Sequence, residues 1–296
     1  MRTILVVDDS NEVREVAGSC LRDHGMTPVF AENGRDALDI LARRRLDAAL
    51  TDLHMPEMDG LELVERMRRD YSHVPVVLMT SRGSEKDAFE ALRAGALSYV
   101  PKRELRGSLC DAMRTVVAAV EAGRHRGQTD IEVGSGESNF VLGYEMEAFA
   151  ALVSHLQANL EQIECCDDTQ LFQVSTALGE ALNNAIDHGN LELDSAIREE
   201  SIEVYGRLRQ ERCLLDPYRN RRVHVTERIN PGTVTYIIRD EGRGFDVSSV
   251  PDPRNTENLL KASGRGLMLI RTFMDDVSFN DRGNEITMVK RRASGA

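Results

Sequence analysis

Between Thr3 and Lys102, short apolar runs alternate with stretches of amphipathic helical period; the runs are TILVV, TPVFA, LDAALT, VPVVLM and LSYVP. This alternation predicts the strands of a parallel sheet covered by helices. Past residue 138 the order differs. NFVL reads as an edge strand and EMEAFAALVSHLQANLEQI as a helix with an apolar face. In DDTQLFQVSTALGEALNNAIDHG, apolar residues such as Leu171, Val174, Leu178 and Leu182 recur at helical spacing as a buried stripe, and Gly189 is placed to end the helix. VTYIIRDEGRGFD alternates with period two, and KASGRGLMLIRTFMDDV opens a further amphipathic helix. The Gly-, Ser- and charge-rich stretch from Gly123 to Ser138 reads as a linker. The pattern thus predicts a two-domain α/β chain, 1–122 and 139–296, joined by 123–138. A total of 296 residues, 41% of them hydrophobic, suffices for two cores.

Functional groups in parallel sheets gather at the carboxyl ends of the strands. There the first half carries Asp8 and Asp9 after the first run, Asp52 after the third, Thr80 after the fourth, and Tyr99 and Lys102 in and after the fifth. Three carboxylates at one rim repel each other unless a hard divalent cation neutralises them, and Mg²⁺ prefers such oxygen ligands. The motifs LVVDDS, LTDLHMPEMDG, VVLMTS and AGALSYVPK, in that order, resemble the receiver domain of two-component response regulators, a flavodoxin-like (βα)5 fold. The resemblance covers about the first 120 residues. It implies that Asp52 is the phosphoacceptor, that Asp9, Asp52 and the His54 carbonyl hold Mg²⁺, and that Asp8 supports the metal through water. It also implies that Thr80 and Lys102 bind the phosphoryl oxygens and that Tyr99 is the switch residue. Its phosphoryl donor would be an upstream sensor histidine kinase or phosphotransfer protein. One departure is Arg103, which stands where the family usually has proline after the lysine.

The linker is too short for a DNA-binding helix-turn-helix, so the output belongs to the second half. There Glu180 and Asn184 stand four apart on one edge of the apolar stripe, a pair that asks for polar partners and so for a ligand. Gly264 and Gly266 open a helix whose free amides suit phosphate. The spacing is neither that of a P-loop nor that of a dinucleotide fold. LGEALNNAIDHG, RDEGRGFD and SGRGLMLIRTFMDDVSF together resemble the GHKL ATPases, and within them the serine kinases that act as anti-sigma factors. That resemblance implies an α/β sandwich with a mixed sheet. It makes Asn184 a ligand of Mg²⁺, Glu180 the base, and Asp240 the acceptor of the adenine amino group. Gly242 and Gly244 would pass close to the base, residues 246–266 would form a lid, and Gly264, Arg265 and Gly266 would close on the phosphates of ATP. Asn183 reads as part of a local hydrogen-bond network, His188 as a packed helix-end histidine, and Asp187 as solvated. Residues 194–222 exceed the connection expected in the family, and read as one or two charged helices that cover the receiver, build a homodimer or dock a partner.

A net charge of −12 argues against sequence-independent binding of nucleic acid. No apolar run reaches the roughly 20 residues of a membrane span, and the start lacks the form of a signal sequence. The five cysteines have no metal-ligand spacing and read as reduced thiols, so the expected location is cytoplasmic. Three functions stand against one another. One is a receiver-controlled serine/threonine kinase acting on an anti-anti-sigma-type partner. Another is a histidine kinase, for which VSHLQANL around His155 lacks the following acid and proline. The last is a non-catalytic ATP-dependent switch that binds a sigma factor or other regulator.

Overall fold

The computed structural model describes residues 2–81, 85–106, 109, 110, 112, 113, 116, 136–163, 166–247 and 265–292. The chain divides into two compact units, the first built on residues up to 120 together with Asp168–Gln173, the start of a helix whose remainder belongs to the second.

In the first unit five strands, β1 (Arg2–Val7), β2 (Met26–Ala31), β3 (Ala48–Asp52), β4 (Val76–Thr80) and β5 (Ser98–Pro101), pair in the order β2-β1-β3-β4-β5, every pair parallel. Helices α1 (Asn11–Asp23), α2 (Gly34–Leu41), α3 (Gly60–Asp70) and α4 (Glu85–Ala94) connect them. β3 and β4 are buried at every position, as strands covered on both faces must be. Ile4, Val6, Leu21, Leu50, Val77 and Met79 lie in one cluster, and each such side chain contributes about 1.5–3 kcal/mol on burial. Leu109, Met113 and Val116 join the same core. Asn33 and Asp59 cap α2 and α3 by accepting the amides of Asp36 and Glu62. Gly60 opens α3 because any Cβ there would lie 2.0 Å from the Asp52 carbonyl oxygen; the helix start is pressed onto the end of β3. A 3₁₀ turn, Lys102–Glu104, follows β5 directly.

The second unit contains β6 (Gly136–Leu142), α5 (Met146–Gln162), α6 (Asp168–Asn184), α7 (Ser195–Glu200), α8 (Ile202–Leu214), β7 (Val223–Asn230), β8 (Thr233–Arg239), α9 (Arg265–Phe273), β9 (Asp276–Phe279) and β10 (Glu285–Arg291). The sheet order is β6-β7-β8-β10-β9. Burial alternates along β7, β8 and β10, so one face of the sheet is packed. Lys290, buried on that face, donates to the Phe273 carbonyl and so caps the end of α9.

Four expectations need correction here. The sheet is antiparallel in every described pairing rather than mixed. β8 and β9, joined through α9, do run the same way, but β10 inserts between them and reverses each contact. β6 begins at Gly136, inside the expected linker, because its pairing with β7 runs back as far as Ile229. The helix carrying Glu180 does not end as an α-helix at Gly189; it changes to a π turn over Ala185–Asn190. Asp187 is not solvated, since it receives Arg209 at 2.7 Å and the Tyr205 hydroxyl at 3.1 Å.

Residues 194–222 form two helices, α7 and α8, capped by Asp194 and Ser201. His155 packs edge-on against the Phe140 ring, as a helix-packing histidine does. Cys20, Cys110, Cys166 and Cys213 are thiols rather than disulfides. No described helix is long and apolar enough to cross a membrane. The stretch 121–135, most of the expected lid (248–264) and Gly264 with it lie outside the described residues, as does the side chain of Arg265.

Candidate functional site

The ends of β1 and β3 bring Asp8, Asp9 and Asp52 together, each offering a carboxylate oxygen within 4.8 Å of the others. Asp8 and Asp52 are buried and Asp9 is exposed. The turn after β5 returns Lys102 to them, with its ammonium 2.8 Å from Asp8 and 2.9 Å from Asp52. Burial pushes the Asp52 carboxyl up, against the hydrogen bond and charge of Lys102. Burial works against the Lys102 charge, but hydrogen bonds to Asp8 and Asp52 outweigh it and leave that pKa raised. Thr80 is buried at the end of β4 and Tyr99 within β5. The Ser10 amide donates to Asp8, and the buried Arg14 donates to the Asp8 carbonyl while pairing with Glu32. His54 lies in the loop after β3, its imidazole 3.2 Å from Asp87 on α4. Hard carboxylate oxygens clustered in this way suit Mg²⁺, so the donor set fits the expected ion.

In the second unit two groups of predicted residues meet. A Cβ on Gly266 would lie 2.7 Å from the Glu180 carboxylate and 3.6 Å from the Asn184 amide nitrogen, so the start of α9 stands directly against the polar edge of α6. Asp240 follows β8 and is buried. Its carboxylate accepts the Gly242 amide at 2.8 Å, its backbone amide donates to the Asn284 carbonyl, and the Asn284 side chain donates to the Asp240 carbonyl. A Cβ on Gly189 would sit 2.4 Å from the Asp240 carboxyl carbon, and one on Gly242 would sit 2.2 Å from the Gly189 carbonyl oxygen. Gly189 therefore serves close approach between π turn and loop. Gly244 has φ +78°, with the Arg282 carbonyl where a Cβ would be. Burial pushes the Asp240 carboxyl up to about 6, against the Gly242 amide. Backbone is thus brought close around one buried carboxylate, and a carboxylate–amide pair stands beside a helix start; these donors fit an adenine nucleotide with its metal.

A comparison with family models matches residues 4–114 to the response regulator receiver domain and residues 144–290 to the histidine kinase-like ATPase domain. The chain is a receiver joined to a histidine kinase-like ATPase domain. Among curated relatives, the response regulator MprA of Mycolicibacterium vanbaalenii is 36% identical over 46% of this chain and 54% of its own length. The regulatory protein AtoC of Escherichia coli is 41% identical over 33% of this chain and 22% of its own. The chain thus spans about half the length, or less, of these curated relatives. A solved receiver domain of an HD domain-containing protein from Pseudomonas fluorescens aligns over 43% of this chain and 93% of that one, at 27% identity and a TM-score of 0.41.

The ATPase domain also holds residues the sequence did not single out. Asn190, fully buried, accepts the Glu241 amide at 2.8 Å; its signal was a polar side chain directly after the glycine at the helix end. Asn284 looked like an ordinary turn residue. Glu227 stands on β7 in register with the buried Val223, Val225 and Ile229, and one of its oxygens accepts Asn159 at 2.6 Å. Burial pushes that carboxyl up to about 7. A glutamate in an apolar alternation was the available cue.

Proposed function

We propose that phosphorylation of Asp52 in the receiver governs the ATPase domain, which acts as a serine/threonine kinase on an anti-anti-sigma-type partner or binds a sigma factor. The meeting of Gly266 with Glu180 and Asn184 carries this reading, because it puts a carboxylate base, an amide ligand and a helix start within reach of one transferred phosphoryl group. In the receiver, an Asp52 oxygen attacks the donor's phosphorus as the bond to the donor group breaks. Lys102 and Thr80 then hold the phosphoryl oxygens, and Tyr99 reads the change at Thr80. Asp9, Asp52 and the His54 carbonyl, with Asp8 behind, would hold Mg²⁺, which would supply charge neutralisation there. In the ATPase domain Asp240 selects the base, Asn184 holds the metal, Glu180 takes the proton of the acceptor hydroxyl, and Gly266 and Arg265 amides face the phosphates. A receiver boundary at 122 and a lid over 246–266 belong to this proposal.

The test is to capture partners from the native cell with a phosphoryl-Asp mimic bound to the receiver, add ATP, and weigh the captured proteins. An acid-stable phosphoprotein that disappears with Glu180→Ala is the expected result. An acid-labile product, or none from the wild-type chain, sinks the kinase reading.

A further inference from the structure

The end of α6 and its π turn are gripped from one segment of sequence. Arg209 on α8 donates to the Asp187 carboxylate at 2.7 Å, and Tyr205 donates to its other oxygen. Arg212 donates to the carbonyls of both Leu191 and Glu192. Arg221 donates to the Asn190 carbonyl at 2.7 Å and pairs with the Glu192 carboxylate at 3.0 Å. The Tyr218 ring lies 5.1 Å from the guanidinium carbons of both Arg212 and Arg221, which fixes the two relative to each other. Carbonyls at a helix end lack intrahelical partners and carry the negative end of its dipole, so guanidinium groups are the natural caps. Here they cap a turn that also builds the surroundings of Asp240. Asn190 accepts the Glu241 amide, Gly189 is packed onto the Asp240 carboxylate, and the Glu192 carboxylate reaches Arg243, between the two glycines of that loop, at 3.2 Å.

We propose that Tyr205, Arg209, Arg212 and Arg221 clamp the adenine site: Arg209, acting through Asp187, positions the Gly189–Asn190 turn and with it Asp240, and so sets how tightly and how selectively this domain holds an adenine nucleotide. The inference rests on the ATP reading above. Arg209 is a positioning residue, since it reaches the site through the turn. Lysine cannot replace it fully, because a point charge on a flexible stem does not reproduce the directional Nε–H held against the Asp187 carboxylate.

The experiment uses the full chain as wild type, Arg209→Ala, Arg209→Lys, Asp187→Asn, and Arg219→Ala as a control whose guanidinium pairs with the exposed Asp216. Hydrogen exchange is followed without ligand, and ATP and GTP affinities are then measured with Mg²⁺ by calorimetry. In Arg209→Ala the amides of Glu241 and Gly242 exchange about tenfold faster while those of β10 keep their rates. ATP binding weakens about tenfold, and GTP binding changes less, so the ATP preference shrinks. Arg209→Lys and Asp187→Asn give smaller changes in the same direction, and Arg219→Ala gives none. Unchanged exchange at Glu241 and Gly242, with normal ATP binding by the wild type, overturns the clamp alone. Faster exchange across β10 as well reduces it to a loss of stability and also overturns it. Faster exchange at the two amides with an unaltered ATP preference overturns the selectivity it is assigned. A wild-type chain that binds no ATP overturns the ATP reading, and the nucleotide half of this inference falls with it.

Discussion

Asp52 at the end of β3 and Asp240 after β8 are both nearly withdrawn from water, and burial raises the pKa of each. Around Asp52 the chain supplies more charge: two further carboxylates and the Lys102 ammonium at 2.9 Å. Around Asp240 dipoles lead, namely the Gly242 amide, the Asn284 amide group and the close backbone of Gly189, with the charges of Arg282 and Arg221 acting behind them. The first arrangement keeps excess negative charge that a divalent cation and then a phosphoryl group can complete. The second spends its one carboxylate on a directional hydrogen bond and needs shape more than charge. Two buried acids at strand ends are thus suited to two chemistries, and what distinguishes them is the kind of neighbour each is given.

The sharpest way to break this contrast is Asp52→Asn, which removes the nucleophile and abolishes phosphoryl uptake from a small phosphodonor, read by intact mass; uptake that survives places the acceptor elsewhere. Asp240→Asn comes next. Losing the charged acceptor weakens ATP binding by about 30-fold. Because the Asp240 carboxyl sits at about 6, wild-type affinity falls as pH is lowered through about 6, while the Asp240→Asn variant gives a flat calorimetric profile. Gly242→Ala tests shape: its Cβ meets the Gly189 carbonyl at 2.2 Å, and the shift this forces costs about 1–3 kcal/mol, seen as a lower melting temperature.

Glu227 sharpens the comparison from outside either site, as a buried carboxyl given one amide partner and nothing to bind. Folding raises it from 4.5 to about 7. Between those values the folded chain keeps a proton that the unfolded chain releases, so stability falls as pH rises from 4.5 to about 7. Above about pH 7 the loss is on the order of 3 kcal/mol. Glu227→Gln removes this slope, raising the melting temperature at about pH 8 and leaving it nearly unchanged at about pH 4.5.

The receiver fold was legible because each of its strands is a local apolar run, and the acids follow those runs directly. The antiparallel order of the second sheet was not, since β10 takes its place beside β8 through pairings such as Ile286 with Ile238, nearly fifty residues apart in sequence. Gly242, Gly244 and Asp240 stood out as a glycine-rich end to an alternating strand. Their partners Asn190 and Asn284 did not, because an asparagine near a turn is ordinary in any chain. Asp187 read as solvated for a similar reason: its partner Arg209 comes 22 residues later, in a segment whose polar and apolar residues show no helical face. The local exchange of α for π winding at Ala185 leaves no mark on the periodicity.

The place of Asn284, paired with Asp240 at the head of β10, has a consequence for how the molecule is made. All five receiver strands have been synthesised by Pro101, and Leu109, Met113 and Val116 of the same core soon after, so the receiver sheet can form while most of the second half is still on the ribosome. The surroundings of Asp240 cannot. Asn284 reaches Asp240 only once β10, which pairs with both β8 and β9, has been made, so the contacts that hold this carboxylate are the last in the chain to be completed.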